Sequence, residues 1–345
     1  MNKNTVGKIV VALITSLVLL AGAELFLRFQ HFVQLDHFKD SHPWNPVFHH
    51  GAGKFVVKEF GSNCQGRYTK LLLLGDSWME DKVLSSEIGR EFAMDSGHCV
   101  QAVNGGNSSY APTIYMLRAR QAFEQFGKFD GIIVNIDETD IGDEWVRYRI
   151  PAVRDESGTI VRVPFSRDLH SEYLWNGKLW AEDSPLYLIR LVKFAFFYKV
   201  LVPLFYELTY CPDYPTLMTY LYTPDTRTRF ARELAYFDDR LLEMTQELSG
   251  YADGVGSIYI TYHPHLHDLV ADEITGKTYQ PVISEALSRL KMKTGVKVLD
   301  AREQVEKIHG KRLLDDTFEE GDPFSHLITD GASRYGKWIA DQIDL

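Results

Sequence analysis

Three residues that together can turn a hydroxyl into a nucleophile lie far apart in this chain. Ser77 follows Gly75 and Asp76, and His326 has Asp322 four residues before it. A serine attacks an ester when a histidine takes its proton, and an acid must hold that imidazole in the right tautomer. The oxyanion that forms needs preorganised donors. Two loops rich in small polar residues offer them, "NGGNSSYAP" (Asn104 to Pro112) and "NIDETDIGDE" (Asn135 to Glu144). Gly, Asp and Ser are also the usual turn residues, so "GDS" alone reads equally well as the close of a core strand.

The elements that would position these residues are legible as alternation. Strand-like runs occupy 69–74, 99–103, 131–136, 257–262 and 296–299, with helical spacing between them. Val83, Leu84, Ile88 and Phe92 keep one such face, Pro112 opens a second segment, and Asp330 to Ile343 forms the last. Alternating β and α predicts a doubly wound, mostly parallel sheet with flanking helices, an α/β fold. Such sheets bind ligands beyond the carboxyl ends of their strands, and "GDS" and both polar loops each follow a strand. The alternation breaks at about 145–250. There "GTIVRVPF" reads as part of a hairpin, and the aromatic stretch 184–208 opens on Ser-Pro. Arg190, Lys193 and Lys199 argue against a second membrane span there, and leave a core or lid helix or one lying on a membrane surface. Arg227 to Leu248 reads as a further helix, so the insertion is expected to form a helical cap over one end of the sheet.

A net charge of -10 excludes a nucleic-acid binder, whose phosphate contacts need a basic face. At the N-terminus, Lys3 and Lys8 precede an uncharged apolar run from Ile9 to Ala23, and Arg28 follows it. Lysines before and an arginine after fit a signal anchor over 1–28 with the remainder outside the inner membrane, the alternative being a signal peptide cleaved after Ala23. Residues 29–62 read as a tether and irregular lead-in, and 63–345 as the main domain. Cys64 and Cys99 stand near the amino ends of two strands expected to be neighbours, within disulfide reach, and Cys211 is left over as a buried thiol. His263, His265 and His267 in "YHPHLH" lack a matching acid or cysteine pattern and read as a solvated loop, with a substrate-contacting loop as the alternative, rather than a metal site. The acids Asp137, Glu138, Asp140, Asp143 and Glu144 could bind a cation but read first as loop-end charges, solvated or paired with Arg147 and Arg149.

Taken together the motifs resemble those of the SGNH (GDSL-type) hydrolase family, in its membrane-anchored bacterial branch associated with extracellular glycans. The likeness covers roughly 63–145 and 255–345. "LLLLGDSWMED" resembles the first block and implies Ser77 as nucleophile, with Asp76 beside it in the oxyanion and substrate region. His326 to Gly331 resembles the last block and implies His326 as base. "VNGGNSSYAP" resembles the second, with Gly106 on an early glycine and the usual oxyanion glycine replaced by Ser109, which keeps its N–H. "NIDETD" resembles the third, but the expected asparagine falls on Thr139, leaving the threonine hydroxyl or Asn107 as substitutes. The family's acid sits three residues before the histidine, which here is Pro323, so Asp322 must reach from one residue further away.

The resemblance implies an SGNH/flavodoxin-like three-layer fold and a periplasm-facing serine esterase or O-acyltransferase. Its substrate would be small acyl esters, acetyl above all, of a carbohydrate, with no cofactor and no metal. The partners implied are an acylated carbohydrate, the inner membrane through the N-terminal helix, and glycan-assembly proteins. The alternatives are a lipid esterase or thioesterase with 184–208 as its lid, and a glycan-assembly scaffold impaired in catalysis.

Overall fold

The computed structural model describes residues 3–29, 55–62, 64, 68–80, 82–108, 110–149, 152–163, 186–196, 200, 224–266, 269, 281–310, 317–318 and 326–345. In chain order its strands are β1 (Val56–Phe60), β2 (Thr69–Leu74), β3 (Val100–Asn104), β4 (Gly131–Ile136), β5 (Val153–Arg154), β6 (Ile160–Arg162), β7 (Ile258–Tyr262) and β8 (Lys297–Asp300). The longer helices are α1 (Lys3–Phe29), α2 (Lys82–Ser96), α3 (Pro112–Phe126), α4 (Tyr187–Phe196), α5 (Ala231–Leu248), α6 (Val282–Thr294) and α7 (Thr329–Ala340). The chain forms two compact units, one from 1–46 with 169–212 and the other from 47–168 with 213–345.

In the larger unit six strands pair in the order β1-β3-β2-β4-β7-β8, all parallel except β1. This is a mostly parallel α/β sheet with flanking helices. Leu71 to Leu74 are wholly buried because β2 lies inside the sheet with both of its faces covered. Alternation along the strand sends Leu71 and Leu73 to one face, where Leu84, Ile88 and Phe92 of α2 meet Tyr335 and Ile339 of α7. Leu72 and Leu74 point to the opposite face, and α3 packs against β2.

Two sequence expectations require correction here. The 29–62 tether includes a strand: β1 runs antiparallel to β3 from Val56↔Asn104 to Phe60↔Val100. Its residues are mostly exposed or half-buried, because an edge strand covers only one side, and Lys58 and Glu59 guard that edge. The part of the 145–250 insertion described within the larger unit flanks the sheet. Helix α5 packs on α3 and α6 as one of the flanking helices, and Arg120 ties α3 to the β5–β6 hairpin through the Ile160 carbonyl at 3.0 Å. The amphipathic α5 buries Phe237, Leu241, Met244 and Leu248 on the face it turns to the rest of the unit. Cys64 and Cys99 are joined by a disulfide that fastens the chain after β1 to the start of β3.

In the smaller unit α1 and α4 pack together, and the Glu24 carboxylate accepts hydrogen bonds from the Tyr187 and Leu188 backbone N–H groups at 2.9 and 2.8 Å. An acid at that position satisfies donors the first turn of α4 leaves open. Among the described residues no helix is long and apolar enough to cross a membrane.

Candidate functional site

Gly75 ends β2 at φ +159°, and a Cβ there would come within 2.7 Å of the Met79 Cβ. A side chain at 75 would thus block the turn, and glycine lets the strand break sharply into the helical turn Ser77–Glu80. The Met79 and Glu80 N–H groups bond back to the Asp76 carbonyl at 3.1 and 2.9 Å. Trp78 and Met79 go into the core, and Ser77 stays half-buried at the carboxyl edge of the sheet.

His326 reaches the same edge from the C-terminal side. Leu327 bridges Phe318, the Ile328 N–H donates to the Thr317 carbonyl at 2.9 Å, and α7 begins at the next residue. Gly331 allows this closeness, since a Cβ on it would stand 2.4 Å from that carbonyl. The outcome is His326 Nε2 at 2.8 Å from Ser77 Oγ, across 249 residues of chain. A serine whose hydroxyl donates to an imidazole nitrogen is what acyl transfer through a covalent intermediate requires.

The other expected residues fall out as follows. Asp76 is 2% exposed; its Oδ1 accepts the Trp78 N–H at 3.1 Å, and its Oδ2 lies 3.3 Å from Ser77 Oγ. Thr139 is buried one turn beyond β4, and both its N–H and its hydroxyl go to the Asp137 carboxylate, the former at 2.7 Å. The Gly106 N–H goes to Asn104 Oδ1 at 2.8 Å, and the Asn107 N–H to the Gly75 carbonyl at 3.2 Å, so this loop is laced to the serine turn. Asn104 also donates to the Met79 carbonyl at 2.8 Å. That bracing role is carried by the first residue of the polar loop, where nothing but its place after a strand marks it. Ser109 and Asp322 lie outside the described residues.

Beneath the serine turn the structure corrects two further expectations. The acids of "DETDIGDE" are not solvated: Asp137, Glu138, Asp140, Asp143 and Glu144 are all buried. Glu144 accepts from the Thr113 N–H and hydroxyl at 2.8 and 2.6 Å, and Tyr115 OH stands 3.1 Å from both Asp140 oxygens. Nor is the "YHPHLH" segment a solvated loop, since His263 and His265 are each 1% exposed; His267 lies outside the described residues. The reason is the same for both. The loops leaving β4 and β7 turn inward beneath the serine turn, where carboxylate and imidazole can satisfy one another.

His265 Nε2 lies 2.6 Å from Asp137 Oδ2, and its ring stacks on Trp78 at 5.5 Å and 14°. Burial opposes charge on this ring, but the Asp137 carboxylate overcomes it and lifts the pKa to about 9. Burial likewise works against Asp137, yet His265 and the two Thr139 bonds hold that carboxyl below its ordinary range. Neither Asp76 nor Asp140 is hydrogen-bonded to a cation among the described residues; burial first, then the neighbouring carboxylates, pushes both well up, outweighing the pull of His265 on Asp76. Among the described residues no group of three or more potential ligands is arranged to hold a metal ion.

Fold and site together define an α/β protein with a serine–histidine pair at the carboxyl edge of its sheet. No protein-family model matches the chain, and no curated protein matches it.

Proposed function

We propose that this chain is an SGNH-type serine esterase or O-acyltransferase that acts on small acyl esters, acetyl above all, of a carbohydrate at the periplasmic face of the inner membrane. The observation that carries the reading is the 2.8 Å contact between Ser77 Oγ and His326 Nε2, built from two ends of the chain. His326 takes the Ser77 proton as Oγ attacks the ester carbonyl, and the Ser77 and Ser109 N–H groups receive the oxyanion. The protonated His326 then gives its proton to the leaving sugar oxygen. Water or a second sugar hydroxyl, deprotonated by the same ring, resolves the acyl-enzyme. These are proton transfers and acyl transfers, which the side chains perform by themselves. The charged ends around the apolar run Ile9–Ala23 support anchoring by the N-terminal helix.

A fluorophosphonate probe tests the reading on the detergent-solubilised full chain. Wild type is expected to be labelled, and Ser77→Ala and His326→Ala to lose labelling, the former completely. Labelling that survives in Ser77→Ala, or a wild type that never labels, sinks the proposal. Nitrophenyl acetate turned over faster than nitrophenyl dodecanoate supports a small acyl group; the reverse order favours a lipid esterase.

A further inference from the structure

Ser77 has one hydroxyl proton and two polar neighbours. His326 Nε2 is 2.8 Å from its oxygen, and Asp76 Oδ2 is 3.3 Å from it. When that proton is given to His326, as attack on an ester requires, the Asp76 oxygen faces a lone pair of Oγ. A carboxylate there opposes the negative charge that develops on Oγ, whereas a protonated carboxyl stabilises it.

The surroundings decide between the two. Asp76 shares its buried space with Asp137 and Asp140, none more than 2% exposed, and among the described residues the imidazole facing them, His265, is held against Asp137. One imidazolium cannot neutralise three carboxylates in a place with little water, so protons must be taken up. Burial, and next the charge on Asp137, makes Asp76 one of the groups that take one. Its Oδ1 already accepts the Trp78 N–H, which leaves Oδ2, the atom beside Ser77, to carry the proton.

We propose that Asp76 is a catalytic residue whose Oδ2–H donates a hydrogen bond to Ser77 Oγ as negative charge develops on that oxygen during attack. The inference rests on the serine-esterase reading. As the Oγ–carbon bond forms, the Ser77 proton passes to His326 Nε2 and the carbonyl π pair becomes the oxyanion; Asp76 shares its proton and keeps it. At 3.3 Å the contact is long for an O–H···O bond in the resting site, and such bonds shorten as charge develops.

The test uses the full-length protein, with fluorophosphonate labelling and the pH profile of nitrophenyl acetate hydrolysis for wild type, Asp76→Asn and Asp76→Ala. Asparagine keeps a neutral donor and the Trp78 contact, so Asp76→Asn is expected to hold kcat/KM within about tenfold of wild type. Asp76→Ala removes the donor and should lose about 10²–10³-fold. Wild type should also lose activity at high pH as Asp76 ionises under the influence of Asp137, Asp140, Asp143, His265 and His326, and Asp76→Asn should not. An Asp76→Asn variant as inactive as Asp76→Ala, or one with the wild-type alkaline limb, overturns the proposal. Because Asp76→Asn is nearly isosteric, a folding defect confined to Asp76→Ala leaves the pH comparison decisive. Ser77-dependent labelling of wild type beside an inactive Asp76→Asn defeats only the role of Asp76; failure of that labelling defeats the esterase reading itself.

Discussion

His263 and His265 are two residues apart, equally buried, and both against the Trp78 ring, yet their pKa values are displaced in opposite directions. His265 faces Asp137 and has its pKa lifted to about 9. Burial takes His263 down to about 3, and its partner is another histidine, His309, at 2.8 Å between Nε2 atoms. The second pair runs as a relay of neutral rings. Arg334 donates to His309 Nδ1 at 3.3 Å, so His309 donates from Nε2 to His263 Nε2, and His263 donates from Nδ1 to the Pro264 carbonyl at 2.8 Å. A proton added to either ring would set N–H against N–H. The same side chain under the same burial is therefore cationic or neutral according to its partner alone.

The change expected to act most strongly on this contrast is Asp137→Ala. It removes the hydrogen-bonded carboxylate of His265, leaving Glu138 and Asp76 as its remaining acidic neighbours among the described residues, and is expected to cost about 3 kcal/mol in chemical denaturation. A loss near zero would mean that the Asp137 contact is not what stabilises His265. Next comes one substitution made at both positions. His265→Phe strands the Asp137 carboxylate and should cost on the order of 3 kcal/mol. His263→Phe removes a neutral hydrogen bond and should cost roughly 1 kcal/mol. Equal losses would erase the distinction.

The smallest change is expected around neutral pH, with a flank on each side. The folded pKa of His265, about 9, is raised above the unfolded value, so its contribution is fully present below an unfolded pKa of roughly 6.5 and fades as pH rises through about 9. The folded pKa of His263, about 3, is depressed, so its contribution is present above roughly 6.5 and fades as pH falls towards about 3. Denaturation midpoints measured across pH should lose the alkaline flank in His265→Phe and keep the acid one. The same flank in both proteins would assign it to other groups.

Much of the architecture and part of the site were legible in the chain. Runs such as "KLLLL" and "GIIVNI" announce buried parallel strands because covering both faces leaves no polar alternation, and the rule that ligands sit beyond strand ends then picks out Ser77. The edge strand at 56–60 was not legible, since "VVKEF" is half polar and takes its structure from pairing with β3. The flanking role of α5 was hidden because an amphipathic pattern tells which face is covered and not by what. The burial of "YHPHLH" and of the acid cluster was hidden for a further reason: composition reads as solvation until a partner from another segment is in place.

The amino-acid sequence by itself determined the interior strands and the helices that flank them, the glycine at 75 that turns the serine outward, and the cysteines placed at one edge of the sheet. These follow from local periodicity and from the backbone freedom of single residues, and neither depends on distant chain. Only the tertiary structure decided that His326 meets Ser77, that Asp137 takes His265 while His309 takes His263, and that Asp76 is left among carboxyl groups without a cation of its own. Those are matters of contact and desolvation between segments up to 249 residues apart, and in a buried site they set the charge each group carries.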